Sequence, residues 1–176
     1  MKKKFYVTSS IAYTNAPPHV GFALELIQAD VIARYHRLLG EDVFFLTGTD
    51  EHGAKIVRAA EKAGQSPKKF TDDISKKFKE LTKALNLSND DFIRTTDQKR
   101  HWPTVKKAWL KLKENGDIYK KKYRGLYCVG CEAFVKEKDL IDGKCPLHQQ
   151  KPEILEEENY FFKLSNYADS IKEKIQ

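Results

Sequence analysis

The segment from Lys2 to Gly53 constrains the fold most, because it reads as strand, helix, strand with few alternatives. "KKFYVTSS" alternates in polarity, is rich in β-formers and predicts a first strand, followed by the loop "SIAYTNAPPH" with its turn-forming Asn-Ala-Pro-Pro. Val20, Leu24, Ile27, Val31, Tyr35 and Leu38 then recur at steps of three and four. That spacing predicts a helix with one apolar stripe against a core, stopped at Gly40. "DVFFLTGTDEHG" opens as a continuous apolar run, as in a strand covered on both faces, and closes in a polar loop between Gly48 and Gly53. A crossover of this length joins parallel strands, and ligands of such sheets sit beyond the carboxyl ends of the strands. Loops 10–19 and 47–53 are therefore expected at that edge.

Further along, Ala54 to Gly64 predicts a second helix, and Ser66-Pro67 caps a third that runs to about Leu85. "DDFIRTT" is β-like, and Thr96 or Asp97 caps an amphipathic helix ending at "KENG". From Asp117 the chain changes to short β segments punctuated by Gly and Cys, the pattern of a small separate module. "EENYFFKL" reads as a returning strand and "SNYADSIKEKIQ" as a helix capped by Ser165 that carries no stop signal at its end. The expected organisation is an α/β domain over 1–116, an inserted module over 117–158, and a return strand with the start of a truncated helix over 159–176.

Size and composition fit this reading. A chain of 176 residues can bury a core, and a hydrophobic fraction of 40% argues against disorder. No run of about 18 apolar residues exists to span a bilayer. The apolar stretch after Lys2 to Lys4 is too short for a signal core, so a cytoplasmic protein without membrane attachment is expected. The net charge of +7 suits an anionic partner such as a nucleotide or nucleic acid, although lysine runs such as "KKFKELTK" equally read as solvated helix faces. Trp102, Trp109, Tyr119, Tyr123 and Tyr127 could supply stacking surfaces for bases, although aromatics at such spacing are more often core.

The three cysteines lie between positions 128 and 145, and an odd number leaves one over in any disulfide framework. Cys128-x-x-Cys131 and Cys145-x-x-His148, 13 residues apart, form two paired knuckles. Three thiolates and one imidazole complete a tetrahedron that favours Zn²⁺, and four protein ligands leave no position for water, which marks a structural site. Gly130 and Gly143 ease the two turns.

At the other end, Pro17-Pro18-His19-Val20-Gly21 lies where the first strand hands over to the first helix. Free N–H groups and the helix dipole attract anions there, and an imidazole can donate to a phosphate; a plain helix cap is the alternative. "GTDEHG" packs two carboxylates and an imidazole between glycines, where Asp50 either pairs with a substrate ammonium group or belongs to a solvated loop.

Read together, "YTNAPPHVGFALELIQADVIARYHRLLGEDVFFLTGTDEHG", "DFIRTTDQKRH", "YCVGCEAFVKEKDLIDGKCPLH" and "EEENYFFKLS" resemble the class I aminoacyl-tRNA synthetases, specifically the methionyl-tRNA synthetase family, over nearly the whole chain. The resemblance implies the first half of a Rossmann-like nucleotide fold carrying a zinc-knuckle insertion. It also implies a reaction, in which methionine and ATP with Mg²⁺ give methionyl-adenylate and the methionyl group then passes to tRNA(Met). His19, Val20 and Gly21 match the first three letters of the family's His-Ile-Gly-His signature, which stabilises charge on the transferring phosphoryl group. Asn15 matches an ATP-side position, Ile11 and Tyr13 the wall of the methionine pocket, and Asp50 the carboxylate that grips the amino group. Cys128, Cys131, Cys145 and His148 match the family's zinc ligands. Two departures stand out. Phe22 occupies the fourth signature position, where it either loses an ATP contact or replaces it by ring packing, and the family's lysine-rich Lys-Met-Ser-Lys-Ser loop is absent from the 176 residues. The expectation is an N-terminal portion of a longer enzyme, weakly active alone. The rival readings are a non-catalytic nucleotide- or RNA-binding module and one half of a split enzyme.

Overall fold

The computed structural model describes residues 2–175 and divides into two compact units, residues 1–103 and 104–176. In the first, β1 (Lys4–Thr8), β2 (Ala12–Tyr13), β3 (Asp42–Asp50) and β4 (Asp91–Arg94) form an all-parallel sheet centred on β3. Successive β3 carbonyls point to opposite edges. Leu46 and Asp50 accept from Ser9 and Thr14, while Phe45 and Thr49 accept from Asp90 and Thr95. β1 and β2 are thus two pieces of one edge strand, broken at residues 9–11, and β2 lies inside what the sequence presents as loop.

α1 (Val20–Leu38), α2 (Ala54–Lys62) and α3 (Pro67–Ala84) follow as expected, with the Ser66 hydroxyl accepting from Lys69 N–H at 3.3 Å. The stripe of α1 that meets the sheet is not the expected one. Leu26, Ala29 and Ala33 are buried, the two alanines against Phe45, whereas Val20, Val31 and Leu38 are 86%, 59% and 88% exposed and Leu24, Ile27 and Tyr35 are exposed as well. Alanines let the helix backbone approach the sheet closely, and polar bonds on the same side fix it. Asp30 accepts from Ser88 N–H (2.7 Å) and Oγ–H (2.6 Å) and from Arg34 (2.6 Å), while Arg37 bonds Asp90, whose carboxylate also receives Phe45 N–H at 2.7 Å. The expectation that β3 is covered on both faces fails at its start for a related reason. Phe45 is sealed, but Phe44 stacks only on Tyr6 and both rings stay exposed. A second apolar cluster joins Ala12, Ile74 and Phe78, with Phe22, Phe70 and Phe92 packed on it.

The second unit begins within α4 (Trp102–Glu114). Asp97, not Thr96, caps the turn before α4, accepting from Lys99 N–H (2.9 Å) and Arg100 N–H (3.0 Å). β5 (Ile118–Cys128) pairs antiparallel with β6 (Ala133–Val135) and along its length with β7 (Glu153–Phe162). Opposed charges support this register, as in Lys120 to Glu158 at 2.8 Å. β7 runs unbroken through 158/159, so the "returning strand" belongs to the small antiparallel sheet and the structural division differs from the one drawn on the sequence. The last helix, α5 (Ala168–Ile175), starts after a 3₁₀ turn over Leu164–Tyr167, so Ser165 lies inside that turn instead of capping the helix. No helix among the described residues is long and apolar enough to cross a membrane.

Candidate functional site

Both segments expected at the sheet's carboxyl edge are there, although residues 47–50 and 12–13 are strand and not the loop expected, and the structure ties one segment to the other. Tyr13 is the register partner of Asp50, and the Asp50 carbonyl accepts from Thr14 N–H (3.0 Å) and Oγ–H (3.1 Å). Ile11 is exposed, Tyr13 and Asp50 are half-buried, and Asn15 is exposed two residues after Tyr13. Of the predicted pocket-wall residues, Tyr13 is thus the neighbour of the predicted carboxylate on the adjoining strand end, and Ile11 lies just before that strand.

His19 is the N-cap of α1. Its backbone is extended (φ −130°, ψ 169°) and its ring folds back so that Nδ1 accepts from Gly21 N–H (3.1 Å) and Phe22 N–H (3.4 Å). An imidazole that accepts at Nδ1 carries its proton on Nε2, which leaves an N–H donor on an exposed ring at a helix N-terminus. Cap and phosphate donor, posed as alternatives by the sequence, are compatible because they use different nitrogens. Gly21 leaves room for this: a Cβ there would lie 3.1 Å from both Cε1 and Nδ1 of His19, so the ring would have to shift by a few tenths of an ångström. Phe22 turns the other way. Its ring meets Phe78 edge to face at 5.1 Å within the Ala12–Ile74–Phe78 cluster, so ring packing occupies the fourth signature position.

The second carboxylate of "GTDEHG" has a partner that the sequence reading missed. The Glu51 side chain is 0% exposed and takes a bidentate bond from Arg94, at 2.7 Å from Nε and 2.9 Å from Nη2. It also accepts from Thr49 Oγ–H (2.7 Å) and Thr96 Oγ–H. Arg94 reaches on to Asp72 at 2.6 Å. Burial by itself lifts the Glu51 carboxyl, but the bonds from Arg94, Thr96 and Thr49 outweigh it and hold the group below the usual carboxylate range. The available signal was "IRTT", an arginine and two hydroxyls at the carboxyl end of the adjoining strand.

In the second unit Cys128, Cys131, Cys145 and His148 converge, with all four donor atoms within 4.8 Å of one another. Cys131 Sγ lies 3.5 Å from Cys145 Sγ and 3.2 Å from His148 Nδ1, and the Cys128 and Cys145 sulfurs are each 3.9 Å from that nitrogen. A tetrahedral ion with bonds of about 2.3 Å to sulfur needs donor separations of about 3.8 Å, so the cluster fits such an ion. Gly130 serves close approach as much as turning, since a Cβ there would fall 2.3 Å from His148 Cγ. Both knuckles end alike, with the residue after the second donor left-handed, Glu132 at φ 50° and Gln149 at φ 52°. Without a cation the donors compete for protons. The hydrogen bond with Cys145 and its neighbours pushes the Cys131 thiol up to about 12, and the hydrogen bond with His148 pulls Cys145 down to about 6. A bound dication removes that conflict by deprotonating all three thiols.

Comparison with known proteins bears on the same residues. The family described as tRNA synthetases class I (M) matches residues 5–149 and 131–176. The methionine–tRNA ligase of Thermotoga maritima is 52% identical over 172 residues, which cover 96% of this chain and 27% of the relative. That of Clostridium acetobutylicum is 48% identical over 175 residues, 99% of this chain and again 27% of the relative. Among solved structures, Mycobacterium tuberculosis methionyl-tRNA synthetase in complex with methionyl-adenylate superposes with a TM-score of 0.90 at 44% identity, covering 98% of this chain and 34% of that one. The chain thus spans about a quarter of the length of the curated relatives it matches. With strand-end loops, signature histidine and knuckle cluster all inside the matched spans, the chain belongs to the class I (M) family of tRNA synthetases.

Proposed function

We propose that this chain is the N-terminal portion of a methionine–tRNA ligase. In that role it contributes to activating methionine with ATP and Mg²⁺ and, in the whole enzyme, to charging tRNA(Met). One observation carries the reading: Tyr13 and Asp50 are paired at adjoining strand ends, one short loop before the capping imidazole of His19. In the proposed reaction the methionine carboxylate attacks the α-phosphorus of ATP, and pyrophosphate leaves with the electrons of the broken P–O bond. Asp50 holds the methionine ammonium group and Ile11 and Tyr13 flank its side chain. His19 Nε2–H donates to a phosphoryl oxygen on which charge grows, beside the helix N-terminus of Val20 and Gly21. Asn15 lies on the ATP side. Phe22 supports this edge by packing and gives ATP no polar contact.

We assign Zn²⁺ to the Cys₃His cluster in a structural role, since three thiolates and an imidazole leave it no open position. A cytosolic setting, in which thiols stay reduced, suits that site.

The test is methionine-dependent ATP–pyrophosphate exchange by the purified chain alone and by the chain fused to the remaining part of the Thermotoga maritima relative. Little exchange alone and robust exchange from the fusion is the expected result. A folded fusion that activates no methionine overturns the proposal.

A further inference from the structure

The proposed reading places Asp50 against the substrate ammonium, and the inference that follows rests on it. We infer that Glu51 is a positioning residue for methionine recognition, acting on the Asp50 carboxylate through Arg94, Thr95 and Thr96. The two strand ends interlock residue by residue. Arg94 and Thr96 both bond the Glu51 carboxylate, and Thr95, between them, faces the other way along the dipeptide. Its hydroxyl accepts Glu51 N–H at 2.8 Å and stands 3.5 Å from Asp50 Oδ1, at the long limit of a hydrogen bond. Thr95 N–H in turn bonds the Thr49 carbonyl at 3.2 Å. The residue before Asp50 and the residue after it are thus anchored to the same three-residue segment, and the Asp50 carbonyl is held from the opposite edge by Thr14.

A carboxylate with no exposed side-chain surface is costly, and swapping a buried ion pair for hydrocarbon is often neutral or stabilising. Stability alone therefore gives little reason for the pair. Geometry gives a better one. β3 ends at Asp50, beyond which the ladder no longer fixes the backbone, and a bidentate guanidinium bond on the next residue sets both distance and angle. The four bonds on Glu51 continue the order of the sheet one residue past its end, which is where the ammonium-binding group needs a fixed direction.

The experiment measures methionine and ATP dependence of pyrophosphate exchange in the full-length protein for Glu51→Gln, Thr95→Val, Asp50→Asn and the Asp50→Asn/Glu51→Gln double variant. Thr95→Val leaves the Glu51–Arg94 pair intact and so stays informative if Glu51→Gln fails to fold. Glu51→Gln and Thr95→Val are expected to raise the methionine KM by about tenfold or more with the ATP KM within about twofold. Glu51→Gln is expected to add nothing in the Asp50→Asn background, the sign that it works through Asp50. A folded Thr95→Val or Glu51→Gln protein with unchanged methionine KM, or additive effects in the double variant, overturns the inference while leaving the Asp50 role intact. An unchanged methionine KM in Asp50→Asn overturns the proposed reading beneath it.

Discussion

Under the proposed function, one ring at position 19 does two jobs from two nitrogens. Nδ1 accepts at the helix start and Nε2–H is left to donate, so substitutions can separate stability from chemistry. Asparagine caps helices well, and replacing a good cap by alanine costs about 0.5–2 kcal/mol. His19→Asn is therefore expected to melt within about 0.5 kcal/mol of the parent chain, and His19→Ala to lose about 1 kcal/mol. If His19 has the proposed role, both should lower methionine-dependent exchange by the fusion with the remaining part of the Thermotoga maritima relative by about a hundredfold, the loss expected for one phosphoryl-stabilising donor. Thermal melting with exchange rates checks this, and an active His19→Asn enzyme would confine the histidine to capping. The sequence made His19, Gly21 and Asp50 legible as candidates because special residue types cluster at a strand-to-helix junction. It did not reveal that Gly21 serves His19, because the fold-back of the ring is a three-dimensional fact. Glu51 was visible only as a second carboxylate, since its partner lies 43 positions away on another strand.

Among the elements, the helices and longer strands were legible, the two-residue β2 and the 3₁₀ turn over Leu164–Tyr167 were not, and neither was facing. Helical spacing correctly marks α1, yet two apolar stripes share that helix and the bulkier one points outward. Periodicity reports that a face is apolar and is silent on what covers it. The small residues Ala29 and Ala33 decide the matter by permitting close approach to Phe45. Leu26→Ala is accordingly expected to destabilise the chain by about 2–4 kcal/mol, as for other fully buried leucines. Val31→Glu, on the exposed stripe, should stay within about 0.5 kcal/mol. Denaturant titration of the two variants decides between the faces, and a large cost at Val31 with a small one at Leu26 would restore the stripe read from the sequence. β7 carries the same lesson. Its residues read as a strand, but the antiparallel backbone register with β5, supported by lysine and arginine facing glutamate, is what assigns it to the small sheet.

For the molecule as a whole, the two units are held by different physics. The first has apolar clusters under α1 and α3. In the second, the buried residues among those described are Asp117, Cys128, Cys145 and Pro152, and the two cysteines are metal-ligand candidates. A long two-stranded ribbon with one short third strand and half-exposed ring pairs is marginal in water, so the donor cluster is expected to be a main stabiliser of that unit. A zinc site of this type contributes folding free energy directly, because the ion binds the folded unit and no preformed site exists in the unfolded one. Chelation at neutral pH should therefore strip amide-exchange protection from residues 118–162, while residues 42–50 of β3 keep theirs. Cys145→Ser should reproduce that pattern without chelator. Loss of protection in both units together would mean that the first unit also depends on the ion. Retention in both would show that the β5–β7 ribbon stands on cross-strand pairing alone, with the cysteines and histidine merely adjacent.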